Sequence, residues 1–370
     1  MGRTGAGRRV VFLVWRDTAH PDGGGSEVYV EHMARWLASR GHSVTIQCAA
    51  HPNAPADEVR DGVRFRRRGG RLTVYLHGLA YLLSPAGRHA DVVVDVHNGL
   101  PFASPLVRRG PVRVLVHHVH REQWQIIYPG LRGRVGWWLE SRFAPFVYRR
   151  RPYLTVSQSS RADLISLGVA ADRIDVICNG IDVPHPSRQL PRSATPRLVV
   201  LGRLVPHKQV EHALESVATL ASSLPEVRLD VIGDGWWHPQ LTEHAVRLGV
   251  ADRVTFHGQV SDAERDRLLD EAWLMLVPSV KEGWGIAIME AAARAVPAIG
   301  YRSAGGVTES IQDGETGLLV DTRAELTERA RELLTDTEAR LAMGKRARER
   351  AGQFDWQSSA ARFEQLILGD

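Results

Sequence analysis

Apolar residues along the 370-residue chain gather in short unbroken runs, and stretches with the helical period lie between them. Residues 10–15 form one such run. A glycine-rich turn follows, and residues 27–40 then place Val30, Met33, Ala34 and Leu37 on one helical stripe that Gly41 stops. Further strand-like runs stand at 43–47, 92–96, 112–116, 153–156 and 174–177. Runs that are apolar throughout, rather than alternating, suit parallel strands covered on both faces. Residues 183–196 hold Pro184, Pro186, Pro191 and Pro196 among polar neighbours and read as a linker. Beyond it the pattern restarts, with runs at 197–201, 228–232, 253–256, 274–277 and 298–300. A last helical segment runs from Phe354 to Leu368. The pattern predicts an α/β chain of two doubly wound, Rossmann-like parallel-sheet domains, residues 1–185 and 186–352, with a C-terminal helix in 353–370.

Composition narrows this little, but charge does more. The two cysteines, Cys48 and Cys178, offer neither a disulfide framework nor a zinc pattern. The run at 10–15 is too short for a signal-peptide core, and no stretch nears the ~20 apolar residues of a membrane helix. A cytoplasmic protein is expected, with the inner face of the membrane open as its working place. The net charge of +5 is unevenly spread: the part before the linker has arginine well in excess of acid, and the part after it is acidic. A basic half implies an anionic partner.

The second half carries the more specific chemistry. Lys281-Glu282-Gly283-Trp284-Gly285-Ile286-Ala287-Ile288-Met289-Glu290 follows a strand and the turn Pro278-Ser279, then enters a helix. Strand, glycine loop and helix N-terminus make an anion site, because free N–H groups point outward and the helix dipole favours negative charge. Glu282 on the loop and Glu290 inside the helix suit sugar and ribose hydroxyls, since carboxylate oxygens accept from OH donors. Gly202-Arg203-Leu204-Val205-Pro206-His207-Lys208 repeats the arrangement, and its two cations suit a diphosphate. Gly233-Asp234-Gly235 is a tight turn for which a structural role competes with a ligand role.

These motifs, in this order, with Gly305-Gly306-Val307-Thr308-Glu309 and Asp313-Gly314-x-Thr316-Gly317 after them, resemble the retaining glycosyltransferases of family 4 (glycosyl transferases group 1), which have the GT-B fold. Gly23-Gly24-Gly25-Ser26-Glu27, Val156-Ser157 and Asn179-Gly180-Ile181-Asp182 extend the resemblance over nearly the whole chain. The resemblance implies two domains facing across a cleft, with the C-terminal helix crossing back to the first. It implies that Arg203 and Lys208 bind the donor diphosphate, Glu290 holds the ribose, and Glu282 contacts the transferred sugar. Gly202 and the backbone of Gly285, Ile286 and Ala287 would receive phosphates or sugar, with Gly24 and Gly25 approaching the donor from the first domain. Trp284, where the family more often has Phe, is a mild departure.

In the first domain a strand runs into His117-His118-Val119-His120, at the strand end where open α/β sheets bind ligands. Similar transferases place a donor-sugar histidine here; spacing favours His120, with His118 second and a structural role for at least one of the three. His97, at another strand end, has structural and acceptor-site readings. Residues 121–151 mix Trp124, Tyr128, Trp137, Trp138, Phe143, Phe146 and Tyr148 with Arg132, Arg134, Arg142 and Arg149-Arg150-Arg151. The tryptophans read as core and the arginines as facing an anionic acceptor or membrane surface. Nucleic acid, the other polyanion such a mixture suits, is not expected as a partner.

The expected reaction is metal-independent transfer of a hexose-type sugar from a nucleotide-diphosphate donor to a glycan or glycolipid acceptor, a lipid-linked or cell-envelope glycan among the candidates. No Asp-x-Asp pair stands ready for a divalent metal, so Arg203, Lys208 and backbone N–H groups would stabilise the leaving phosphate; no metal or cofactor is called for beyond the nucleotide sugar. His120, Arg203, Lys208 and Glu282 are the catalytic candidates. The rival readings are a sugar-nucleotide-binding scaffold without turnover and an epimerase on the same architecture. A dinucleotide-dependent dehydrogenase is disfavoured, because residues 16–23 lack the Gly-x-Gly-x-x-Gly turn after the first strand.

Overall fold

A computed structural model describes residues 7–185 and 189–369; Pro186, part of the expected linker, lies outside the described residues. The chain divides into two compact units, one reaching to Gly180 and resuming at Trp356, the other Ile181–Asp355.

The sheet of the first unit holds β1 (Arg9–Leu13), β2 (Ser43–Cys48), β3 (Asp57–Arg60), β4 (Val63–Arg67), β5 (Val92–His97), β6 (Val112–Val116), β7 (Tyr153–Thr155) and β8 (Ile174–Val176). Their spatial order is β3-β4-β2-β1-β5-β6-β7-β8. All neighbours pair parallel except β3 with β4. The central strands β1, β5 and β6 are buried along almost their whole length, which is why their sequences are mostly apolar. Strands β3 and β4 escape the hydrophobic pattern. In β4 the inward positions are Val63, Phe65 and Arg67, and Arg67 is 1% exposed. Its guanidinium is satisfied by Asp17 Oδ2 at 2.8 and 2.6 Å and by Glu58 Oε2 at 2.8 Å, so a charge fills a core position.

Helix Gly25–Ser39 follows β1 and buries Val30, Met33, Ala34 and Leu37, the stripe read from the sequence. The C-terminal helix, Trp356–Leu368, belongs to this unit. Phe363 stacks on Phe12 with ring centroids 6.0 Å apart. Glu364 accepts from Trp36 Nε1 at 2.8 Å and lies 3.0 Å from His42 Nε2. The division falls at Gly180/Ile181 and Asp355/Trp356, rather than at 185/186 and 352/353. Ile181 N donates to Phe354 O at 2.9 Å, which ties the first residue of the second unit to its end.

The second unit has β9 (Arg197–Leu201), β10 (Arg228–Ile232), β11 (Val254–Gly258), β12 (Leu274–Val277), β13 (Ala298–Tyr301) and β14 (Gly317–Val320), in the order β11-β10-β9-β12-β13-β14. All of its pairings are parallel. The order runs outward in both directions from the β9–β12 pair. In doubly wound sheets ligands bind where the strand order reverses, beyond the carboxyl ends of the strands.

Candidate active site

The loops after β9 and β12 flank that reversal. A recess opens between them, lined by Gly202, Arg203, Lys208, Ser279, Glu282 and Gly285 among others. The backbone around Gly233 packs against Gly202, which is part of that lining. Gly233 has φ 120°, and a Cβ there would stand 2.1 Å from Gly202 O. Leu204 N donates to Asp234 O at 2.9 Å. The Gly-Asp-Gly turn therefore acts by letting two backbone segments touch, and it sets the path of the Arg203 loop.

Lys208 ends the short turn Pro206–Lys208, which is tied to the neighbouring loop by Val280 N donating to His207 O at 2.9 Å. Lys208 Nζ donates to Glu282 Oε1 at 2.5 Å, and Ser279 Oγ donates to the same oxygen at 2.7 Å. Glu282 is itself held by its backbone, with N to Ala304 O at 3.0 Å and O from Gly306 N at 3.1 Å. The Gly305-Gly306 motif thus braces the loop that carries Glu282. Gly285 caps helix Ile286–Ala293 in the left-handed conformation, φ 91°, which a side chain would strain. Ile286 and Ala287 are the first residues of that helix, where amides have no carbonyl a turn back to reach. Two half-buried cations and a helix N-terminus at one recess have the chemistry that suits a phosphate.

Glu290 stands outside the recess lining, as does Ile286. Glu290 Oε1 lies 3.3 Å from Arg265 Nη1. Burial holds its carboxyl above the ordinary value, opposed by the Arg265 charge. Trp284 is core: it is buried and meets Phe354 edge-on with centroids 5.1 Å apart.

In the first unit, Gly24 N donates to Glu27 Oε2 at 2.8 Å at the start of helix Gly25–Ser39. Glu27 Oε1 lies 3.1 Å from Arg16 Nε, and both residues are buried. The glycine loop is therefore closed from beneath by an ion pair. Arg16 reads in the sequence only as the end of a strand; the opposite charge eleven positions on was the available signal.

The three histidines after β6 separate. His117 is buried edge-on to Tyr29, centroids 5.4 Å apart, and burial pushes its pKa down to about 4. It is the structural member. The His118 and His120 rings lie side by side at 4.1 Å, with His118 Nε2 3.1 Å from Gln123 Oε1. His120 Nδ1 lies 2.9 Å from Glu140 Oε1. His97 packs between Asp95, at 3.5 Å, and the Tyr148 ring, at 4.7 Å, and burial lowers its pKa. Its surroundings are those of a core residue.

The stretch after His120 forms helices Arg121–Ile127 and Leu131–Trp138, a π-helical turn Leu139–Phe143 and helix Ala144–Val147. Its aromatics are not all core. Trp138 is 55% and Phe146 65% exposed, with Leu131 and Val135 exposed on the same run.

Two family models cover the chain almost without a break: Glycosyltransferase Family 4 matches residues 23–185, and Glycosyl transferases group 1 matches residues 185–350. The chain belongs to glycosyltransferase family 4. This glycosyltransferase is 26% identical to a glycogen synthase of Mycobacterium tuberculosis over 380 residues, covering 93% of its own chain and 91% of the relative. It is 28% identical over 389 residues to the GDP-mannose-dependent alpha-(1-6)-phosphatidylinositol monomannoside mannosyltransferase of the same organism, covering 97% and 98%. Among solved structures, a sucrose-phosphate synthase from Thermosynechococcus elongatus superposes with a TM-score of 0.82 at 19% identity, covering 97% and 98% of the two chains. The fold is GT-B, and the enzyme is a glycosyltransferase of the kind that uses nucleotide-sugar donors.

Proposed function

We propose that the enzyme transfers a hexose from a nucleoside-diphosphate donor to a lipid-linked or cell-envelope glycan, with retention at the anomeric carbon and without a metal ion. The observation that carries this reading is the recess at the β9–β12 reversal, where Arg203, Lys208 and the N-terminus of helix Ile286–Ala293 meet. As the bond from the sugar to the diphosphate breaks, negative charge grows on the leaving phosphate. Fixed cations and helix amides stabilise that charge without reorganising. Glu282, already accepting from Lys208 and Ser279, keeps lone pairs for a sugar hydroxyl. Glu290 takes the ribose hydroxyls and His120 a hydroxyl of the transferred sugar, while Gly24 and Gly25 meet the donor phosphates. Among the described residues no three His, Cys, Asp or Glu side chains are grouped as a metal ion requires.

A membrane-side acceptor is supported by the exposed Leu131, Val135, Trp138 and Phe146, interleaved with exposed Arg132, Arg134, Arg142 and Arg149. Rings at headgroup depth with arginines at phosphate are the pattern of an interfacial surface. Among the described residues no helix is long and apolar enough to cross a membrane.

The test is a thermal-shift screen against UDP-, GDP-, ADP- and TDP-sugars in EDTA, with Arg203→Ala and Glu290→Ala alongside. One nucleotide class is expected to stabilise the wild type, by about 2.7 kcal/mol at a hundred times its Kd, and neither variant. Absence of any shift at millimolar donor overturns the assignment of the recess. The anomeric configuration of the product, read by NMR, tests retention.

A further inference from the structure

Glu140 holds His120 twice. Its Oε1 accepts from the His120 backbone N at 3.0 Å and lies 2.9 Å from His120 Nδ1. Its Oε2 accepts from Trp124 Nε1 at 2.6 Å. Glu140 is 7% exposed, so this carboxylate is committed to three donors in a site nearly closed to water.

The approach is built by the sequence that precedes it. Gly133, Gly136 and Glu140 lie three and then four residues apart, on one face of the helical run that begins at Leu131. A Cβ on Gly136 would stand 2.3 Å from the Trp124 ring, and one on Gly133 would stand 2.2 Å from Tyr128 O. Only glycines let this run press against helix Arg121–Ile127 closely enough to seat Glu140 under His120. The run then widens into the π-helical turn Leu139–Phe143 at Glu140 itself, and such turns recur at functional sites.

We propose that Glu140 is the positioning residue for His120. An ionised carboxylate only accepts, so the proton of the neutral imidazole belongs on Nδ1, and Nε2 is left as the acceptor for a sugar hydroxyl. The bond from the His120 amide to the same oxygen fixes the ring against its own backbone. Trp124 holds the other oxygen, which keeps the carboxylate from turning away. The histidine is thereby presented in one tautomer and one orientation before substrate arrives. This inference rests on the proposed role of His120 at the transferred sugar.

The test compares Glu140→Gln, Glu140→Ala, His120→Ala and the His120→Ala/Glu140→Ala double variant in the full chain. A glutamine keeps the shape but cannot accept from all three donors. Glu140→Gln is expected to lower kcat by roughly 10-fold or more, with donor KM nearly unchanged. In the His120→Ala background, Glu140→Ala is expected to cost little further, because both changes remove one function. Losses that multiply in the double variant overturn the proposal, since Glu140 then acts elsewhere. If His120→Ala leaves turnover intact, the role of His120 fails and the proposal with it. A second readout needs no turnover. In long-range ¹⁵N spectra of histidine-labelled protein, the resonance pair missing from His120→Ala should show the Nδ1–H tautomer and change in Glu140→Gln. An Nε2–H tautomer in the wild type overturns the proposal even if the donor is never found.

Discussion

Lys208 Nζ lies 2.5 Å from Glu282 Oε1, so the cation after β9 and the carboxylate after β12 hold each other across neighbouring strands. Ser279 Oγ, bound to the same oxygen, completes a three-member cluster. The pair places one positive and one negative group at the same recess. Diphosphate and sugar hydroxyl ask for those two signs.

Lys208→Ala and Glu282→Gln should therefore fail differently. In the proposed mechanism the lysine stabilises the leaving phosphate, so its removal is expected to lower kcat/KM by about 100-fold or more. Glu282→Gln keeps the Ser279 contact and the cation, so nucleoside-diphosphate binding should survive while sugar transfer drops. Binding of the bare nucleoside diphosphate, measured by calorimetry beside turnover, separates the two. Equal loss of diphosphate affinity in both variants would remove the division of labour.

Glu290 has a carboxyl held above its ordinary value by burial, with Arg265 opposing. Between its ordinary and its folded pKa the native chain binds more protons than the unfolded chain, so stability is lost as pH rises through that window. Above the window the ionised group is a standing cost. Glu290→Gln removes it, and Tm at pH 7.5 is expected to rise by roughly 1–3 °C while donor-induced stabilisation disappears. Melting curves with and without donor check both halves; a large fall in the donor-free Tm would mean that Glu290 is structural.

His117 gives an acid-sensitive core. Burial pushes it from 6.5 down to about 4, so between those values the unfolded chain takes up a proton that the native chain refuses. Stability contributed by the neutral ring is complete above the unfolded value and is lost as pH falls through the window, at no more than about 1.4 kcal/mol per pH unit. Urea denaturation from pH 7 to pH 4 should show this slope, and His117→Phe should flatten it. An unchanged slope would assign the acid sensitivity to other buried groups.

The exposed face of residues 131–149 should bind vesicles containing phosphatidylglycerol and release them in 0.5 M salt on the order of the screening of surface charge. Trp138→Ala is expected to weaken binding at every salt concentration, and Arg134→Glu/Arg142→Glu to abolish its dependence on anionic lipid. Sedimentation with neutral and anionic vesicles distinguishes the two contributions. Equal binding to both vesicle types would leave the arginines without this role.

Strands whose buried positions are mostly apolar were legible from the sequence, as β1, β5, β6, β9 and β12 show. Strands β3, β4 and β14 were not. Strand β3 is an edge element with little to bury, and β4 turns Arg67 inward. Strand β14 is a run of only four residues behind a turn. At the recess, Arg203, Lys208, Glu282 and Gly285 were each visible as residues on a strand-loop-helix junction. Arg16, Glu140 and the burial of the motif residue Glu27 were not, because an acid or base in a helix or loop looks the same whether solvated or buried.

What the sequence determined by itself is whatever depends on near neighbours: the two sets of strand and helix periods, the glycine-bearing loops, and the residue types that end at the strands' carboxyl edges. Only the tertiary structure decided which charges face inward and which of the three histidines does what. His117, His118 and His120 sit within four positions, yet one is desolvated against Tyr29, one meets Gln123 and one is held by Glu140. The physical reason is that desolvation and hydrogen bonding depend on atoms brought close by packing, here from residues 20 and 88 positions away, and local periodicity carries no record of them.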